Sequence, residues 1–204
     1  MRYAYTIGGA ALFAVVAAAM ATGATAQLDE TVRGAVHSIA SPLLTALALM
    51  LSLIGSNAVW IPATAFIGAL LWLAERRAQI FILLMAMAGA TVWENGLKFI
   101  FHRLRPAGFF AVSPPTYSFP SGHALFAVCF YGVLAALAAR EFRNTGMRTA
   151  IWLGALLLTA CIGLSRIYLG SHYPSDVLAG WLAGGAWLAF LWASGAFSFP
   201  RNFV

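Results

Sequence analysis

The chain has 204 residues, 62% of them hydrophobic and only 9% charged, with a formal net charge of +6. A soluble domain carries about 25% charged residues, so this chain cannot dress a water-facing surface and reads as a multi-span membrane protein without a separate soluble domain. The positive balance does not point to nucleic acid, because the cations sit in short loops between apolar runs and not in a solvated block.

The first apolar run covers 4–27. Arg2, the run itself and Ala24-Thr25-Ala26 also resemble a secretory signal with a small-residue cleavage site; cleavage after Ala26 would leave five spans and the same orientation for the rest. The next segment, 28–56, places Leu28, Val32, Val36, Ile39 and Leu43 at helical spacing, with Asp29, Glu30, Arg33 and His37 between them. That amphipathic pattern suits a helix lying in the interface, while the back half of the segment is apolar enough to cross. Further apolar runs follow at 57–74, 78–101, 121–140, 149–168 and 177–197, each near the ~20 residues a bilayer needs. Cys129 and Cys161 lie alone in such runs and read as small core residues. Gly180 and Gly184 form a GxxxG in the last run, the spacing of close helix packing.

Charge sets the topology. Cytoplasmic loops collect Lys and Arg, and Arg2, Arg76, Arg77, Arg140, Arg143, Arg148 and Arg201 all fall on one side if 28–56 stays on the outer surface. The predicted fold is therefore all-α: a six-helix membrane bundle with both termini inside and an amphipathic segment between the first two spans. One domain covers 1–204, with an anchor at 1–27, interfacial helices at 28–56 and a catalytic bundle at 57–204. Ser113 is expected outside and Thr145 inside.

The outer side should then be poor in cations, yet it carries Lys98, Arg103, Arg105 and Arg166 beside His123, His172 and Asp176. Ionisable groups at membrane depth are functional by default. They form three clusters: Lys98 to Arg105-Pro106 after the third run, Pro120-Ser121-Gly122-His123 opening the fourth, and Ser165-Arg166 to His172 and Asp176 between the fifth and sixth. All three lie on one side of the membrane and can converge.

Transferring phosphoryl groups spread negative charge over three oxygens, and catalysis is mostly positioning and charge stabilisation. Lys98, Arg105 and Arg166 are fixed cations for that purpose, and Arg can grip two oxygens at once. A helix starting at Pro120 would turn the N–H groups of Ser121 and Gly122 toward an anion, with the Ser121 hydroxyl as a further donor. Asp176 can accept a hydrogen bond from one ring N–H of His172, fixing tautomer and orientation as the third member of a triad does. Glu94, one turn before Lys98, is placed to aim its amine, and Arg103 to widen the cationic pocket. His37 and His102 read as packing residues. No carboxylate set for magnesium and no Cys/His zinc spacing is present, so neither metal nor other cofactor is expected.

The trio resembles the signature of the type 2 phosphatidic acid phosphatase superfamily, KxxxxxxRP, PSGH and SRxxxxxHxxxD, complete and in order from Lys98 to Asp176. One departure is Leu104, where many relatives carry a second Arg-Pro pair. The resemblance implies that His172 is a nucleophile forming a phosphohistidine, that His123 protonates the leaving oxygen, and that the reaction is hydrolysis of a lipid phosphate or diphosphate in the plasma membrane, facing outward. Undecaprenyl diphosphate ranks first among substrates, followed by phosphatidylglycerol phosphate, phosphatidate and lipid A phosphate. A phosphotransferase would use the same intermediate with a lipid acceptor. The related vanadium haloperoxidases share the site but are soluble, and a transporter or binding scaffold would need neither nucleophile nor acid. The 106–120 loop, with Phe109, Phe110, Tyr117 and Phe119, is expected to form an aromatic lip for lipid chains, an aromatic belt that anchors the loop, or both, since the two readings do not conflict.

Overall fold

The computed structural model describes residues 2–110 and 115–197, so that Ser113 and Arg201 lie outside the described residues. Among these, eight helices follow in order: α1 (Ala4–Ala21), α2 (Ala26–Ser38), α3 (Pro42–Ile54), α4 (Asn57–Leu73), α5 (Arg77–Phe101), α6 (Gly122–Arg140), α7 (Thr145–Tyr168) and α8 (Pro174–Ala193). Helices α1, α5, α6, α7 and α8 are each long and apolar enough to cross a bilayer, and α3 with α4, bent by 44° at their junction, are together long and apolar enough for a sixth if they count as one broken span. The expected all-α membrane bundle is thus the observed architecture. Its second crossing differs in detail: at ~1.5 Å per residue, the 17 residues of α4 reach only about 25 Å, short of a ~30 Å hydrocarbon core. Counted as one span with α4, the apolar back half of 28–56, α3, would make up the difference.

The front half, α2, behaves as an interfacial helix with its polar side turned in. Asp29 and Arg33 are its buried residues, while Leu28 and Ile39 are about two-thirds exposed. In a bilayer this inversion is favourable, because lipid accepts the apolar face and the charged face needs protein partners. Ser41 ends the α2–α3 break, its hydroxyl accepting the Leu44 amide at 3.3 Å as an N-cap.

The core of the bundle lies between α5 and α6, where Ile82, Leu83, Ala86, Leu125, Cys129 and Val133 are inaccessible. Helix α8 closes on α6 at Gly180, where an added Cβ would stand 2.5 Å from the Ser121 carbonyl oxygen; only glycine permits that approach. Helix α1 runs antiparallel to α8, with Tyr3 beside Phe190 at 6.2 Å between ring centroids and Phe13 reaching Phe119 at 5.9 Å.

The bundle has two chemically distinct ends. Tyr3, Phe197, Arg77 and Arg140 sit at one, where Arg76 pairs with Glu141 at 2.6 Å and Arg140 donates to the Phe197 carbonyl. The other end gathers the last turns of α5 and α7, the first turns of α6 and α8, and α2.

Candidate active site

Four helix ends supply the site. Helix α5 finishes at Phe101 because His102 adopts left-handed backbone, φ 46°, an uncommon state for a residue other than glycine that ends helices cleanly. The chain then turns so that Arg103 and Arg105 face the other three ends. Helix α7 stops at Tyr168, and the amides of Ser171 and His172 fold back onto the Arg166 carbonyl at 3.0 and 3.3 Å. That return places His172 beneath Arg105. Helix α8 opens with Pro174 at its first turn and Asp176 at its third position, where the carboxylate accepts the Tyr173 amide at 2.9 Å.

The three motifs converge as their order suggests. Arg105 Nη1 lies 2.9 Å from His172 Nε2, and His172 Nδ1 lies 3.4 Å from Asp176 Oδ2. A guanidinium can only donate, so Nε2 must present its lone pair and Nδ1 must carry the proton toward Asp176. The ring is neutral for the same reason. His172 is 1% exposed, and burial pushes its imidazole down to about 4, against the pull of the hydrogen bond and charge of Asp176. Arg105 is anchored by the Thr116 carbonyl at 2.9 Å and hydroxyl at 3.0 Å and by the Ser171 carbonyl at 3.1 Å. Burial lowers it below the ordinary arginine value, which Asp176 and Glu94 counter.

Arg166 enters from α7, 7% exposed, with one terminal nitrogen on the Ser52 hydroxyl of α3 and its Nε buried and unpartnered. His123, at the second residue of α6, lies within electrostatic reach of Arg166, His172, Arg105 and Lys98. Lys98 Nζ sits 2.6 Å from Glu94 Oε1, the pairing expected of residues one turn apart.

The start of α6 corrects two expectations. Pro120 precedes the helix instead of opening it, and Ser121 is the cap. The Ser121 amide is also not free for an anion, since it donates to the Asp176 carbonyl at 2.9 Å, tying the starts of α6 and α8 together. Its hydroxyl, by contrast, is buried without a partner. At Gly122, an added Cβ would stand 2.0 Å from Glu94 Oε1. The chain's own carboxylate therefore rests against the helix start where phosphate was expected.

The aromatic loop is likewise only partly a lip. Phe110 and Tyr117 are about one-third exposed, but Phe119 is inaccessible, packed edge-on against Phe101 at 5.0 Å. Phe109 stacks on His37 at 4.1 Å, and His102 meets Tyr117 at 4.6 Å, so both histidines pack against aromatic rings. Arg103 does not widen the pocket. It points behind His172, to Asp176 at 2.6 Å and Asp29 at 2.8 Å; burial works against its charge, and the two carboxylates more than offset that. Asp29, Ser52, Thr116 and Ser175 had no signal in the sequence beyond being polar. Among the described residues no three His, Cys, Asp or Glu side chains gather as metal ligands.

An antiparallel helix bundle that collects three cations, two histidines and a carboxylate at one end defines a membrane phosphoryl-transfer enzyme. The profile of the PAP2 superfamily matches residues 78–199, and the chain belongs to that superfamily; it is a membrane phosphatase. It is 28% identical over 173 residues to phosphatidylglycerophosphatase B of Bacillus subtilis (strain 168), covering 84% of this chain and 85% of that one. Against undecaprenyl-diphosphatase of Sulfolobus acidocaldarius it is 34% identical over 155 residues, 72% of this chain and 68% of the other. The crystal structure of a transmembrane PAP2 type phosphatidylglycerolphosphate phosphatase from Bacillus subtilis superposes with a TM-score of 0.87 at 26% identity, over 97% of this chain and 98% of the other.

Proposed function

We propose that the chain hydrolyses a lipid phosphate or diphosphate at the outer face of a bacterial inner membrane, through a phosphohistidine on His172. The observation that carries this reading is the pair of contacts on one ring, Arg105 at Nε2 and Asp176 at Nδ1. They hold a neutral imidazole with its lone pair aimed among fixed cations. As a phosphate enters, its oxygens take over the Arg105 contact, and Lys98, Arg166 and the Ser121 hydroxyl complete the cradle. Nε2 then bonds to phosphorus while the bond from phosphorus to the lipid oxygen breaks. His123 delivers a proton to that oxygen, and the lipid alcohol (or, from a diphosphate, the lipid monophosphate) leaves. The ring is now cationic, with Asp176 facing its Nδ1–H. Water attacks phosphorus next, His123 takes back a proton, and inorganic phosphate departs from a neutral His172.

The named activities of the relatives support lipid phosphates as the substrate class, with undecaprenyl diphosphate and phosphatidylglycerophosphate the first two to compare. Outward orientation is supported by the cations at the opposite end of the bundle, which mark a cytoplasmic side. The test is phosphate release by purified protein in detergent micelles, with these lipids against soluble phosphate esters. We expect the lipids to lead by at least tenfold in kcat/KM, about 1.4 kcal/mol of transition-state binding, with His172→Ala inactive but folded. A smaller preference would leave a membrane-bound general phosphatase, and wild-type turnover by His172→Ala would remove the phosphohistidine.

A further inference from the structure

Arg103 donates from Nη1 to Asp176 Oδ1 at 2.6 Å and to the Ser175 hydroxyl at 2.8 Å, and from Nη2 to Asp29 Oδ2 at 2.8 Å. Asp29 comes from α2, 147 positions before Asp176 in the chain by their numbers. Its Oδ1 accepts the Ser175 amide at 2.9 Å and its Oδ2 the Ser175 hydroxyl at 2.6 Å. The ring of Tyr173 covers the guanidinium at 4.0 Å. Both carboxylates are inaccessible, Asp29 1% and Asp176 0% exposed.

Such a cluster is costly to bury and survives only when every member is paired; here each carboxylate oxygen has a donor. The division of labour within Asp176 is informative. Oδ1 is held by Arg103, and Oδ2 by the Tyr173 amide at 2.9 Å; the His172 contact, at 3.4 Å, is the longest of the set. The ring therefore does not orient the carboxylate. Arg103 and the backbone orient it, and it in turn orients the ring. Charge points the same way. Two carboxylates against one guanidinium leave one negative charge behind an imidazole that turns cationic as Nε2 bonds phosphorus, so the cluster favours the transition state over the resting ring.

We infer that Arg103 and Asp29 are positioning residues of the reaction, through which the interfacial helix α2 fixes the carboxylate that orients His172. The inference rests on His172 being the nucleophile. It assigns α2 a part in turnover that its amphipathic sequence does not suggest.

The test uses the full chain in detergent micelles with Arg103→Gln, Arg103→Lys and Asp29→Asn, measuring kcat, KM for a lipid phosphate and inhibition by inorganic phosphate. For Arg103→Gln, kcat should fall about 10- to 100-fold, the loss typical when a partner behind an active group is removed, with KM and phosphate inhibition near wild type. Arg103→Lys should recover part of kcat, since a point charge can hold one carboxylate but not fork across both. Asp29→Asn should lose less than Arg103→Gln, because the Arg103–Asp176 pair remains. A loss carried by KM and phosphate inhibition would put Arg103 in the phosphate cradle and overturn the inference, as would full kcat in either variant. Should Arg103→Gln fail to fold, the near-isosteric Asp29→Asn decides alone, and unchanged kcat there is the refutation. His172→Ala in parallel separates the two readings. Active His172→Ala sinks the phosphohistidine itself, whereas inactive His172→Ala beside full kcat in Arg103→Gln sinks only the positioning role.

Discussion

Burial and charge act on His172 in opposite directions, and the geometry shows which wins. Its ring is inaccessible, Arg105 stands at Nε2, and the carboxylate of Asp176 lies at 3.4 Å, too long to compensate fully for lost solvation. The imidazole is held down to about 4, against about 6.5 for a free one. A depressed value means that the charged form is disfavoured, so the ring is neutral at all pH values above about 4 and takes up a proton only below. Nitrogen NMR of histidine-labelled protein in micelles can read this directly. The resonance missing from His172→Ala assigns the ring among the four histidines. At pH 6 it should show a protonated Nδ1 and a bare Nε2, and it should titrate near pH 4. Titration near 6.5, or the opposite tautomer, would refute the tautomer and neutral state assigned to this ring.

The motif residues were legible because chemistry constrains both their identity and their spacing. His172 and Asp176 stand four apart across a helix start, and Lys98, Arg105 and Arg166 sit at span ends where a lone cation would be costly. What was not legible joins distant helices. Arg103 meets Asp29 across 74 positions, Arg166 meets Ser52 across 114, and Ser175 meets Asp29 across 146. No periodicity within one segment reports such contacts, so Arg103 could only be read as one more cation. Whether Phe119 anchors the loop or lines a lip is open in the sequence for a similar reason, since its packing involves Phe13 of α1. Close packing was readable from GxxxG, though not its partner, which is the start of α6. At Gly180 the nearest atom to an added Cβ is backbone, the Ser121 carbonyl oxygen at 2.5 Å, whereas at Gly185 on the same helix nothing lies within 4 Å. Gly180→Ala must therefore push α8 from α6 and strain the Ser121–Asp176 hydrogen bond. We expect it to destabilise by about 1–3 kcal/mol as overpacking does and to lower kcat. Gly185→Ala should leave both intact, with any change in the stabilising direction. Thermal unfolding midpoints of the two variants in the same detergent, beside their turnover, make the comparison; equal midpoints would mean that the α6–α8 contact yields freely.

Six crossings follow from the apolar runs, but orientation follows from charge asymmetry between the ends, and the two ends differ sharply. The one opposite the site is rich in arginine, with Arg76, Arg77, Arg140, Arg143 and Arg148, and there Arg76 pairs with Glu141. At the other, every cation of the motifs is engaged with the site, leaving none as a topological signal. Lys and Arg in short loops are retained on the cytoplasmic side during insertion; that asymmetry is the basis for the proposed outward-facing site, where a lipid would present its phosphate while its chains stay in the bilayer. Two exposed positions report the sides independently of activity: Ala107, in the loop after α5, and Thr145, the first residue of α7. Ala107→Cys and Thr145→Cys would be made with Cys161→Ser, since Cys161 is half-buried and Cys129 is fully buried. In intact cells an impermeant thiol reagent should label Ala107→Cys at once and Thr145→Cys only after the membrane is opened. The reverse order would turn the active site to the cytoplasm, and with it the lipid leaflet from which any substrate must come.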